Sequence, residues 1–87
     1  MMTVPEKPAL SRLFRMQWEE AQNSYVLLYP EGMVNLNQSA AEILKRCDGK
    51  HSVPDMVAEL EQAFDQRGLQ DDVEEFLRAA SERGWIS

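Results

Sequence analysis

Cys47 and His51 stand four residues apart and are the only cysteine and the only histidine of the chain. At that spacing a thiol and an imidazole can form a nucleophile and its base. Such pairs also need a third group to orient the imidazole and donors to receive the developing charge, and nothing near them in the sequence supplies either. Zinc asks for three or four nitrogen or sulfur ligands, and no second Cys or His stands nearby. Cys47 therefore reads as a small apolar residue of a helix face. The acidic run Asp71, Asp72, Glu74 and Glu75 offers paired carboxylates for acid–base work, but acids gathered at a helix start favour its positive end and face water. The four glycines are scattered singly, so no loop is built to cradle phosphate. The reading is of a protein that is not an enzyme, with no catalytic residue, no metal and no cofactor.

Composition narrows the remaining classes. A chain of 87 residues is one domain near the lower limit of what an apolar core sustains. Its 44% hydrophobic and 28% charged residues are those of a folded protein. Nine basic residues against fifteen acidic ones give a net charge of −6. Phosphate-neutralising surfaces need the opposite balance, so neither nucleic acid nor a membrane is expected as a partner. A single cysteine excludes an internal disulfide framework and suits a reducing compartment. The first ten residues lack the apolar run of a signal peptide, and no stretch approaches the ~18 apolar residues of a membrane span. The expected location is cytoplasmic.

Residues 1–10, with Pro5 and Pro8, read as a flexible lead-in, and residues 11–87 as a single recognition domain. In Leu13–Glu19, Phe14, Met16 and Trp18 alternate with Arg15, Gln17 and Glu19, a period of two that predicts a strand burying the first set. Tyr25–Tyr29 is apolar nearly throughout, as expected of a central strand. Pro30-Glu31-Gly32 is a hairpin turn, and Met33–Leu36 a third strand with Val34 and Leu36 inward. The period then changes to 3.6. Ala40, Ile43, Leu44 and Cys47 share one helix face, with Asn37 or Ser39 as cap. A second helix opens at Ser52 and carries Val53, Met56, Val57, Leu60 and Phe64; Gly68 closes it. A third begins near Asp71 or Asp72, with Leu69, Val73, Phe76, Leu77 and Ala80 as its stripe.

The fold class is therefore α+β: a three-stranded antiparallel meander followed by a three-helix bundle, with a winged-helix-like outline. That outline raises DNA reading, yet the candidate recognition helices carry Asp55, Glu59, Glu61 and the acids at 71–75, which repel phosphate. The third strand ends the meander, leaving one edge without a partner. Either a helix or loop covers it, or it is too short to matter, or an extended peptide adds to it as a further strand.

The stretch from Leu27 to Gly49 bears on that choice. Its Leu-Leu-Tyr-Pro-Glu-Gly turn, Leu-Asn-Gln-Ser-Ala helix start and Cys-Asp-Gly helix end, followed by Ser52-Val53 and by Val73, Phe76 and Leu77 at matching spacing, resemble the PqqD family of pyrroloquinoline quinone (PQQ) biosynthesis. The likeness extends from about Pro8 to Trp85. It implies a peptide chaperone that binds the precursor peptide PqqA and presents it to the radical SAM enzyme PqqE, which joins a Glu and a Tyr of that peptide. It also implies a peptide-binding groove with Met33, Val34, Asn35 and Leu36 on one wall and Val73, Phe76, Leu77 and Ala80 on the other. The rival classes are a small winged-helix-like transcription regulator and an enzyme-docking subunit that binds no peptide. The expected state is a monomer or weak dimer.

Overall fold

The computed structural model describes residues 4–87. Three strands, β1 (Arg15–Glu19), β2 (Ser24–Tyr29) and β3 (Gly32–Asn35), precede three helices, α1 (Gln38–Lys45), α2 (Val53–Ala63) and α3 (Gln70–Glu82). The sheet is antiparallel in the order β1-β2-β3, so the apolar run 25–29 is indeed central.

Turn chemistry sets the register. Between β1 and β2, Asn23 adopts a φ of 53°, a left-handed conformation that Asn tolerates better than most residues. The Pro30-Glu31 turn is two residues long and leaves Tyr29 opposite Gly32. From there Leu28 faces Met33, Leu27 faces Val34 and Val26 faces Asn35. One sheet face therefore carries Met16, Tyr25, Leu27, Val34 and Leu36, all joined to a core with Ile43, Leu44, Met56, Leu60, Val73 and Leu77 from the helices. The opposite face stays in water at Arg15, Gln17, Met33 and Asn35.

Trp18 departs from the expected burial and is 47% exposed. Its parity is correct, because it pairs with Tyr25. However, it stands at the rim of a cleft between the sheet and α1, beside Ala41 and Lys45. There it meets the Tyr25 ring edge-on, with centroids 5.0 Å apart, and the Lys45 ammonium lies 4.6 Å from that ring's centre. Period alone cannot show where along a strand the helical cover stops.

Caps mark the helix starts. Asn37, rather than Ser39, caps α1 by accepting the Ala40 N–H at 2.8 Å. Ser52 caps α2 through the Asp55 N–H at 3.2 Å, with Pro54 in the first turn where its missing N–H is harmless. At α3 the boundary residue is Leu69, before the expected acids, and it has no side-chain cap. Its N–H instead donates to Glu61 Oε2 at 3.1 Å, which ties α3 to the end of α2. Among the described residues no helix is long and apolar enough to cross a membrane.

The lead-in is more ordered than its prolines suggest. Residues 1–3 of that segment lie outside the described residues. Pro8, however, is fully buried, and Ala9 exchanges hydrogen bonds with Ser87 at 3.1 and 2.9 Å. Leu10 N–H donates to Cys47 O at 3.2 Å and Ser11 N–H to Trp85 O at 2.8 Å. Gly49, at a φ of 77°, turns its N–H onto Pro8 O at 2.9 Å. Residues 8–11 thus lie alongside the C-terminal residues 85–87 and the turn at 47–49.

Candidate peptide-binding site

Because β3 is the last strand of the sheet, the direction of its main-chain groups decides what the edge offers. Leu36 N–H donates to Tyr25 O at 3.1 Å. Main-chain groups of a strand alternate in direction, so Val34 and Gly32 also face β2, and the N–H and C=O of Met33 and Asn35 point away from the sheet. Side chains alternate on the perpendicular axis. Met33 is 51% exposed and Asn35 is exposed, Val34 is half-buried, and Leu36 is buried against α1 and the remaining core. The edge contains no proline, no charge and no inward lysine, the usual means of blunting such an edge.

The residues expected on the second wall divide. Val73, Leu77 and Ala80 are buried in the same core cluster as Leu36, and Leu77 has no exposed surface at all (0%). Phe76 is partly buried, its ring centre 6.4 Å from that of Trp85. Of the eight expected groove residues, Met33, Val34, Asn35 and Phe76 keep surface that a docked chain can touch, whereas Leu36, Leu77 and Ala80 support the fold beneath. Val73 does both. It is buried, yet it also borders an open cleft of about 330 Å³ whose apolar lining includes Ile43 of α1, Leu60 of α2, Phe64 just past the end of α2, and Leu69.

Gln38 and Ser39, the first residues of α1, also line that cleft, and along the chain they follow closely on Asn35, the last residue of β3. These lining residues were not expected from the sequence. The one available signal was Phe64, an aromatic at the end of the second helix stripe, which stays 37% exposed where the helix stops.

The chemistry-bearing side chains are otherwise engaged. The Cys47 thiol donates to the Ile43 carbonyl at 3.5 Å, and burial pushes its pKa up to about 12. Contrary to expectation an orienting group does stand near His51, while the Cys47 thiol is turned to Ile43. His51 is held by carboxylates on both ring nitrogens, Asp48 at 3.0 Å from Nδ1 and Glu59 at 2.7 Å from Nε2. These contacts, Asp48 foremost, raise the imidazole pKa. In return the His51 contact and the Lys50 N–H hold the Asp48 carboxyl down at about 2. Arg46 completes the chain of charge by donating to Glu59 at 3.0 Å and to Glu42 at 3.1 Å, so the network pins the end of α1 to α2. The carboxylates sit on opposite sides of the imidazole and do not converge on a common point. Among the described residues no group of three or more His, Cys, Asp or Glu side chains is placed to hold a metal ion.

Known proteins resemble this chain in sequence and in fold. The family described as "Coenzyme PQQ synthesis protein D (PqqD)" matches residues 24–86. A relative named PqqA binding protein in Methylococcus capsulatus (strain Bath) is 54% identical over 77 residues, covering 88% of this chain and 83% of the relative. Another of the same name in Azotobacter vinelandii (strain DJ) is 54% identical over 85 residues, covering 97% and 92%. The solution NMR structure of the PqqD portion of Methylobacterium extorquens PqqCD, described as a functional, stand-alone recognition element for ribosomally synthesized and post-translationally modified peptides, superposes with a TM-score of 0.76. It is 25% identical and covers 100% of this chain and 95% of that one. The family match takes in β2, the Pro30-Glu31 turn, the β3 edge and all three helices, and on that ground the chain belongs to the PqqD family.

Proposed function

We propose that this protein binds the ribosomal precursor peptide PqqA as an added strand on β3 and presents it to the radical SAM enzyme PqqE during PQQ biosynthesis in the cytoplasm. It acts as a recognition protein and not as a catalyst. The observation that carries the reading is the open edge of β3, with the main-chain groups of Met33 and Asn35 directed outward. An extended peptide takes its affinity from such main-chain bonds and its specificity from alternate side chains. The cleft at Val73, lined in part by Gln38 and Ser39 at the start of α1, supports the reading as an apolar seat for one of them. The names of the close relatives support the identity of the peptide.

Presentation has a physical benefit. Ordering a short disordered chain costs roughly 2–5 kcal/mol, which a rigid edge meets before chemistry begins. Tethering the peptide beside the enzyme then raises its local concentration to about the mM range without any contact at the reacting atoms. The test is a titration of fluorescently labelled PqqA into the purified protein, followed by pull-downs in which peptide and enzyme are offered separately. Saturable one-to-one binding of the peptide supports the proposal. Capture of the enzyme with no binding of the peptide would make the chain a docking subunit, and a sequence-specific DNA mobility shift would make it a regulator.

A further inference from the structure

We infer that the hairpin end of the sheet, centred on Arg12, Leu13 and Arg15, is a docking surface for an acidic, partly apolar patch on the enzyme that receives the peptide. This rests on the presentation reading above. Leu13 is 68% exposed, the most exposed large apolar side chain among the described residues. It borders a shallow opening of about 390 Å³ with Phe14, Leu28 and Tyr29, and both arginines stand at its margin. In its lining Phe14 and Tyr29 stack with centroids 5.4 Å apart.

Charge points to the occupant. The chain carries −6 overall, and Arg12 and Arg15, like Arg67 and Arg78, belong to none of the ion pairs among the described residues, which engage Lys45, Arg46 and His51; what sets these two apart is that both line the opening beside the exposed Leu13. Two uncommitted guanidiniums flanking an exposed leucine complement carboxylates around an apolar residue. A second copy of this chain is a poorer match, because like net charges repel. Position supports the same partner. Arg15, Leu28 and Met33 form one cross-strand row on the water-facing side of the sheet, so the surface adjoins the β3 edge and a protein seated there is held beside the bound peptide.

The experiment uses the full chain carrying Arg12→Glu together with Arg15→Glu, and separately Leu13→Ser. All three positions are exposed or marginal to the core, and circular dichroism verifies the fold. Arg67→Glu with Arg78→Glu makes the same change of net charge elsewhere. Association with purified PqqE is read by interferometry at 50 and 300 mM NaCl, and labelled PqqA affinity is read in parallel. The expected result is peptide affinity within about twofold of the parent for every variant. Enzyme association weakens roughly tenfold or more for the Arg12/Arg15 and Leu13 variants only, and salt weakens association for every variant that keeps Arg12 and Arg15 but not for the Arg12/Arg15 variant. Equal enzyme binding by parent and variants overturns the surface assignment while leaving presentation intact. A parent that binds peptide but never the enzyme overturns presentation itself, and this inference with it. Loss of a parent dimer in the variants, or of parent binding to anionic phospholipid vesicles, without change in enzyme association, assigns the patch to another occupant and also refutes the inference.

Discussion

Proline at position 35 separates strand addition from every other way of holding a peptide. Asn35 N–H points away from β2, whereas Leu36 N–H donates to Tyr25 O at 3.1 Å and Val34 shares that inward direction. Asn35→Pro therefore removes one donor from the free edge and none from the β2–β3 ladder, and proline is tolerated on edge strands for this reason. An added strand would be left with an unsatisfied carbonyl, which costs about 1–3 kcal/mol. That corresponds to roughly five- to 150-fold in Kd. Val34→Pro does the reverse. It removes an inward donor, opens the hairpin and lowers the melting temperature. Asn35→Ala keeps the main chain and isolates the side chain's share. Fluorescence anisotropy with labelled PqqA gives the affinities, and thermal unfolding by circular dichroism gives the stabilities. A folded Asn35→Pro variant that binds as tightly as the parent would refute strand addition at this edge.

Three further outcomes test the rest of the structure. Leu77→Asp places a charge where no surface is exposed, at a cost of several kcal/mol, a large part of a small domain's stability; a cooperative urea transition near the parent midpoint would instead make Leu77 a surface groove residue. Cys47, buried with its pKa pushed up to about 12, should resist a disulfide reagent at pH 8 until the protein is unfolded in urea, and rapid stoichiometric labelling of the native protein would contradict this. His51 has a raised pKa in the fold, so its stabilisation is full below its unfolded value near 6.5 and disappears as pH rises past the raised value. The gap in urea midpoint between the parent and His51→Gln should therefore narrow on going from pH 5.5 to 9, and a gap that stays constant would show that the ion pairs do not couple to folding.

Much of this fold is legible in single residues because their roles are local. Pro30-Glu31 leaves two residues between strands whichever way the sheet is packed, and Ser52 caps a helix whatever that helix touches. Trp18 and Pro8 differ from expectation because burial depends on distant elements. The cover from α1 stops at the rim where Trp18 stands, and Pro8 is held beside the Asp48–Gly49 turn and the C-terminal tail. The cleft was illegible for a stronger reason. Ile43, Leu60, Phe64, Leu69 and Val73 come from three helices and the turn before the last, and each already explains itself as a member of an amphipathic stripe. A stripe that lines a groove and a stripe that fills a core have the same period, so Val73, Leu77 and Ala80 could not be sorted by pattern alone.

The edge of β3 combines both cases. That it is the outer strand follows from order along the chain. Which of its groups face outward follows from register, and register is a property of pairs. A slip of one residue between β2 and β3 would turn Met33 and Asn35 inward and present Val34 and Leu36 to the peptide, and it would also expel Val34 and Leu36 from the core. Burying Leu36 and directing the Asn35 N–H at a partner are consequently one requirement. On the strand-addition proposal, a mutation that disturbs the packing of the buried Leu36 should then weaken peptide binding by shifting the Asn35 N–H.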